Sequence, residues 1–207
     1  MYDFGKSHCW ILGFRGELLM IPRLLEPQLR AYATWFPVVS VTGPRQSGKS
    51  TLVKAAFPEY SYLNLEDPQL RQEAIIDPVG FIRNRPEHLI LDEVQYAPEI
   101  FSMIQVASDE RGTTGQYMLS GSQNFLLLKR ISQSLAGRVG ILKLLPLSFS
   151  EVARSQNITA DEFMFRSGYP RPYDVSMPES VFFESCRPSR KPCRPPRSRA
   201  WGAWLGT

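Results

Sequence analysis

Apolar positions along the chain switch between two periods. Leu25, Leu29, Tyr32 and Phe36 recur at helical spacing and predict an amphipathic helix over about 22–35. Pro37-Val38-Val39-Ser40-Val41 then reads as a short buried strand. It runs into a glycine-bearing loop and a helix from Lys49 to Ala56, stopped near Pro58. Tyr60 to Leu65 alternates as a second strand, and Pro68 to Ile76 is helical. His88-Leu89-Ile90-Leu91 is a third, buried strand, with His88 at a position that is usually apolar. Pro98 to about Ser108 is a helix with proline in its first turn. Tyr117-Met118-Leu119 is a fourth strand, followed by a helix through Phe125–Leu135, and Val139 to Leu144 is a fifth. Strands separated by helices imply right-handed crossovers: an α/β fold of three layers around a mostly parallel central sheet.

The same pattern divides the chain. Residues 1–19 lack clear periodicity and read as an irregular extension, 20–155 as the core and 156–184 as the start of a following helical region. Residues 185–207 form a basic tail with four prolines and almost no aliphatic residues, expected to be disordered. Charge follows this division. The 207 residues carry 24 basic and 20 acidic side chains, for a net +4. Six of the basic residues and none of the acids lie after Ser185, so residues 1–184 hold 18 basic and 20 acidic side chains, a net of −2. A nucleic-acid reading would therefore rest on the tail alone. No apolar run reaches the roughly 18 residues of a membrane span. Cys9 to Phe14 is a poor signal-peptide core. Cys9, Cys186 and Cys193 form neither metal spacing nor a disulfide framework, so the expected compartment is the cytoplasm, with no membrane contact.

The loop between the first strand and its helix carries chemistry. Gly43-Pro44-Arg45-Gln46-Ser47-Gly48-Lys49-Ser50 fits G-x-x-x-x-G-K-[ST]. The glycines let the backbone curl so that successive N–H groups converge on a phosphate, at a helix N-terminus that favours negative charge. Lys49 reaches the outer phosphates, the Ser50 hydroxyl can ligate magnesium, and Thr51 is the next helical position. Such a pattern also occurs in chance turns; here it stands between a valine-rich strand and a helix, the context the chemistry needs.

An acidic pair follows the third strand. Asp92 suits the magnesium side, and Glu93 can polarise a water as general base. No Asp-x-x-Gly follows that strand and no Asn-Lys-x-Asp comes later, which favours adenine over guanine. The fourth strand ends Leu119-Ser120-Gly121-Ser122. In hydrolases whose fourth strand lies between the loop strand and the acidic strand, a polar side chain here senses the γ-phosphate. Ser120 and Ser122 are candidates, with Ser122 preferred as nearer the end; helix capping by Ser122 or Asn124 explains the same residues. Arg138 is a guanidinium that could stabilise a phosphoryl-transfer transition state, although one arginine before a strand is most often a surface residue.

Taken together these blocks resemble AAA+-type P-loop ATPases and, more narrowly, a prokaryotic family whose ATPase domain precedes a C-terminal domain of unknown function. The stretches that carry the resemblance are Val41–Thr51, Leu63-Asn64-Leu65-Glu66-Asp67-Pro68, Leu91-Asp92-Glu93-Val94-Gln95 with Pro98-Glu99, Leu119–Ser122, Ser134–Arg138, Pro146–Glu151 and Gly168-Tyr169-Pro170. The resemblance implies ATP and Mg2+ as ligands and hydrolysis of ATP to ADP and phosphate, coupled to conformational change. It implies a catalytic set of Lys49, Glu93, Ser122 and Arg138, with Arg138 acting in its own subunit or a neighbour's, and hence self-association. Gln95 falls in a family motif with no firm role. The chain departs from the family in its first 19 residues, which look like an upstream extension, and after about Ser185, where the abrupt change predicts a frameshift or premature truncation and the loss of the domain that sets the biological partner. Alternatives are a nucleotide-binding remnant without turnover and, less favoured, DNA binding through the tail. A small-molecule phosphotransferase lacks an arginine-rich lid.

Overall fold

The computed structural model of the chain describes residues 10–12, 18–122, 134–170 and 173; for 10–12 and 18–20 it describes the course of the backbone. Two triplets, β1 (Trp10–Leu12) and β2 (Leu18–Met20), pair antiparallel with Trp10 opposite Met20. The rest of the expected extension, residues 1–9 and 13–17, lies outside the described residues. Three-residue strands made wholly of apolar side chains carry no alternation to read.

A five-stranded sheet follows. The order of elements is α1 (Glu26–Trp35), β3 (Val38–Gly43), α2 (Lys49–Ala56), β4 (Ser61–Asn64), α3 (Pro68–Ile76), α4 (Pro78–Arg83), β5 (Leu89–Asp92), α5 (Ile100–Arg111), β6 (Tyr117–Ser122), β7 (Val139–Lys143), α6 (Phe149–Ser155) and α7 (Ala160–Arg166). The strands lie in the order β4-β5-β6-β3-β7, and every pairing is parallel. The expected helix 125–135 falls outside the described residues except at its end, and the tail falls outside them entirely.

Alternation along each strand builds two cores. Leu89, Leu91, Tyr117 and Leu119 face α4 and α5, against Phe81, Ile104 and their neighbours. The intervening Ile90 and Met118 face the other way, with Val39 and Val41, onto Leu29 of α1 and Leu52 and Val53 of α2. With both faces buried, the strands read as continuous apolar runs. A third, smaller cluster joins Ile21 to Leu147, Val152 and Tyr173.

Local chemistry sets several boundaries. Asp67 accepts from the N–H groups of Gln69 and Leu70 and starts α3, with Pro68 in the first turn. Asp77 closes α3 and opens α4 by accepting from Gly80, so the expected single helix is followed by a second that sequence reading did not anticipate. Ser148 with Glu151, and Thr159 with Glu162, form capping boxes on α6 and α7.

Candidate functional site

The loop from Gly43 to Lys49 leaves the C-terminal end of β3. Gly43 is there for space: a Cβ on it would lie 2.1 Å from the Leu144 carbonyl oxygen. Gly48 is there for backbone freedom, at φ +88° as the residue that opens α2. Gln46 also has positive φ, +60°. Lys49 is 4% exposed and donates to the Pro44 carbonyl at 2.8 Å, and Ser47 Oγ donates to the same carbonyl at 2.9 Å. Burial lowers the Lys49 ammonium from its ordinary value, while the nearby Glu93 and Asp92 charges oppose that shift.

Those acids end β5. Between β5 and β3 lies β6, so the acids stand two strand spacings, roughly 10 Å, from the root of the loop. Asp92 is 3% exposed and well held: Oδ1 accepts from Ser120 Oγ and from the Glu93 N–H (3.0 Å), and Oδ2 accepts from the Tyr62 hydroxyl at 2.7 Å. Burial and the Asp92 carboxylate both push the Tyr62 phenol up. Glu93 is half-buried with φ +54°, which turns the chain sharply off the strand, and its Oε2 accepts from the Gln95 amide. Gln95 Oε1 is buried without a hydrogen-bond partner.

The serines separate by register. Ser120 sits opposite Val41, one strand over from Asp92, with its hydroxyl committed to that carboxylate; Ser122 sits opposite Gly43, where the loop begins. Arg138 is elsewhere. Its carbonyl accepts from Val38 N–H (3.2 Å) at the start of β3, five residues and about 17 Å of strand from Gly43. Its guanidinium makes a forked pair with Asp109 at 2.5 and 2.8 Å. Arg138 was expected to act in its own subunit or a neighbour's; parallel pairing of β7 with β3 puts it at the end of the sheet opposite its own subunit's loop.

Among the described residues no group of three or more His, Cys, Asp or Glu could hold a metal ion. The donors at hand, the Ser50 hydroxyl and the Asp92 carboxylate, are hard oxygens too few for an all-protein cage. They fit magnesium shared with phosphate oxygens and water.

Three residues of this region escaped the sequence reading. Arg23, 6% exposed, donates Nη1 to the Ser47 carbonyl (2.7 Å), Nη2 to the Leu145 carbonyl (2.6 Å) and Nε to Glu151 Oε1 (3.1 Å). Glu151 also accepts from the N–H groups of Leu24 and Ser148, both at 2.8 Å. Tyr62 anchors Asp92. For Tyr62 the one available signal was its place on the strand beside the acidic one; Glu151 stood in the Pro146–Glu151 stretch and in a Ser148-x-x-Glu151 capping pattern, which mark a helix start but no tie to the loop, and Arg23 gave none.

A three-layer α/β fold with a glycine-lysine loop at the end of a central strand and an acidic strand two places away defines a phosphate-loop nucleotide-binding class. The AAA domain family model matches residues 36–153, and the chain belongs to that family. Uncharacterized proteins of Mycobacterium tuberculosis and Mycobacterium bovis are each 33% identical over 137 residues, 65% of this chain. The chain spans about 30% of the length of these curated relatives. The AMPPCP-bound DnaA structure from Aquifex aeolicus is similar in fold, with a TM-score of 0.50 and 16% identity over 72% of this chain and 56% of that one. Among the described residues no helix is long and apolar enough to cross a membrane.

Proposed function

We propose that this chain is an ATP-binding domain that hydrolyses ATP to ADP and phosphate. The observation that carries the reading is the placement of a buried Lys49 at the mouth of α2 two strands from Asp92 and Glu93 at the end of β5. The loop N–H groups and Lys49 bind the β- and γ-phosphates. Ser50 and Asp92 would hold magnesium, which when bound supplies positive charge to the phosphate oxygens. Glu93 takes a proton from a water as that water's oxygen bonds to the γ-phosphorus and the bond to the β-bridging oxygen breaks, releasing ADP. Ser122 donates to the γ-phosphate. Ser120, committed to Asp92, orients that carboxylate instead. The register of β6 against β3 supports this division.

The test is a pair of variants. Lys49→Ala is expected to abolish ATP binding, measured by fluorescence titration. Glu93→Gln is expected to bind ATP as the parent does and to lose phosphate release. ATP hydrolysis unchanged in both overturns the mechanism.

The position of Arg138 favours a second element: the arginine serves the site of a neighbouring copy, and an isolated chain binds ATP with little turnover. Specific activity that rises with protein concentration in the parent, and stays flat in Arg138→Ala, supports this. Equal activity per chain at all concentrations removes it. Binding to an attached domain, and the biological partner, belong to the longer proteins that this chain matches in part.

A further inference from the structure

The phosphate loop needs its amides turned inward, and one of its peptide units is held from outside. We infer that Arg23 is a positioning residue of the phosphate loop, fixing the Ser47–Gly48 peptide so that its N–H faces the phosphate. The inference rests on the nucleotide-binding reading above.

The geometry is direct. In a trans peptide the C=O and N–H point in opposite directions. Arg23 Nη1 holds the Ser47 oxygen at 2.7 Å from behind the loop, which turns the Gly48 N–H the other way, toward the side where Lys49 begins α2. Gly48, at φ +88°, has no side chain to resist a flip of that peptide, so its orientation depends on what holds the carbonyl. The guanidinium is itself fixed. Nη2 is bound to the Leu145 carbonyl just after β7, and Nε to Glu151, whose carboxylate also receives two backbone N–H groups. Three acceptors on three segments match the planar fork of arginine; a lysine ammonium, a compact point charge, cannot span them in one plane. Arg23 acts through the peptide it holds.

Positioning and plain structural support give different kinetics. A misdirected amide weakens phosphate contact in ground and transition states alike, so KM rises while kcat holds. A purely structural lesion lowers the amount of folded enzyme, so the apparent kcat falls while KM holds. The experiment uses the full chain as parent, Arg23→Lys, Arg23→Met and Glu151→Gln. Each is checked by circular dichroism, titrated with a fluorescent ATP analogue and assayed for magnesium-dependent phosphate release. We expect Arg23→Lys to fold and to bind ATP at least tenfold more weakly with kcat within twofold of the parent, Arg23→Met to lose more, and Glu151→Gln to lose two- to threefold. Should Arg23→Met fail to fold, Arg23→Lys and Glu151→Gln decide. Folded Arg23→Lys with parental ATP affinity overturns the inference while leaving the ATPase reading intact. A parent chain that binds no ATP overturns both.

Discussion

Glu151 shows how far a single buried side chain depends on its donors. Burial by itself would raise its pKa, but the Ser148 and Leu24 amides and the Arg23 charge outweigh burial and hold the carboxyl below its ordinary value of 4.5. A carboxylate with a depressed folded pKa stabilises the fold above its unfolded value, and that contribution is lost as pH falls through the folded value. Glu151→Gln is therefore expected to cost about 1–3 kcal/mol at pH 7, the scale for a disturbed charged hydrogen bond. The cost should shrink below pH 4.5; urea unfolding of parent and variant at pH 7 and pH 3.5 checks both. Gly48→Ala would force a Cβ into the left-handed region, at about 1–2 kcal/mol, and should weaken ATP binding in a direct titration. At this scale the loop was legible because its chemistry is spaced within eight consecutive residues. The pairing of Arg23 with Glu151 was not, because they lie 128 positions apart and the local pattern around Glu151 marks only a helix start.

Elements were legible where their period or punctuation is local. Lys49–Ala56 and Pro68–Ile76 have the bounds read from sequence, set by the loop and Pro58 in one case and by the Asp67 cap in the other. The helix Pro78–Arg83 was missed because Asp77-Pro78 reads as an ending when it is also a beginning. At the end of the fourth strand, Ser120-Gly121-Ser122 fits turn and capping chemistry as well as strand, and the structure continues the ladder beside β3 through Ser122. Removing the α3 cap tests this kind of boundary. Asp67→Ala should cost about 1 kcal/mol and lower the melting temperature by roughly 2–4 °C, readable by calorimetry, with ATP affinity unchanged.

The sheet order belongs to the whole molecule. The sensor reading of the fourth strand's end holds for hydrolases in which that strand lies between the loop strand and the acidic strand, and β5-β6-β3 has that arrangement. Arg138 directly precedes the fifth strand, and in a parallel sheet the start of one strand lies opposite the end of another, so the pairing of β7 with β3 sends it away from the loop. Arg138→Ala is accordingly expected to leave ATP affinity unchanged at low protein concentration and to remove any concentration-dependent gain in turnover; binding titrations and a dilution series check the two halves.

The contact between Lys49 and the Pro44 carbonyl has its own consequence. The ammonium group that would greet an incoming anion already has a partner inside its own loop. Entry of a ligand is then an exchange: the carbonyl must release the cation before the anion can take it. A doubly charged terminal group can win that competition where a neutral or weakly charged molecule of the same shape gains nothing. On the ATP-binding reading, the exchange at Pro44 thus favours ligands that end in a multiply charged group.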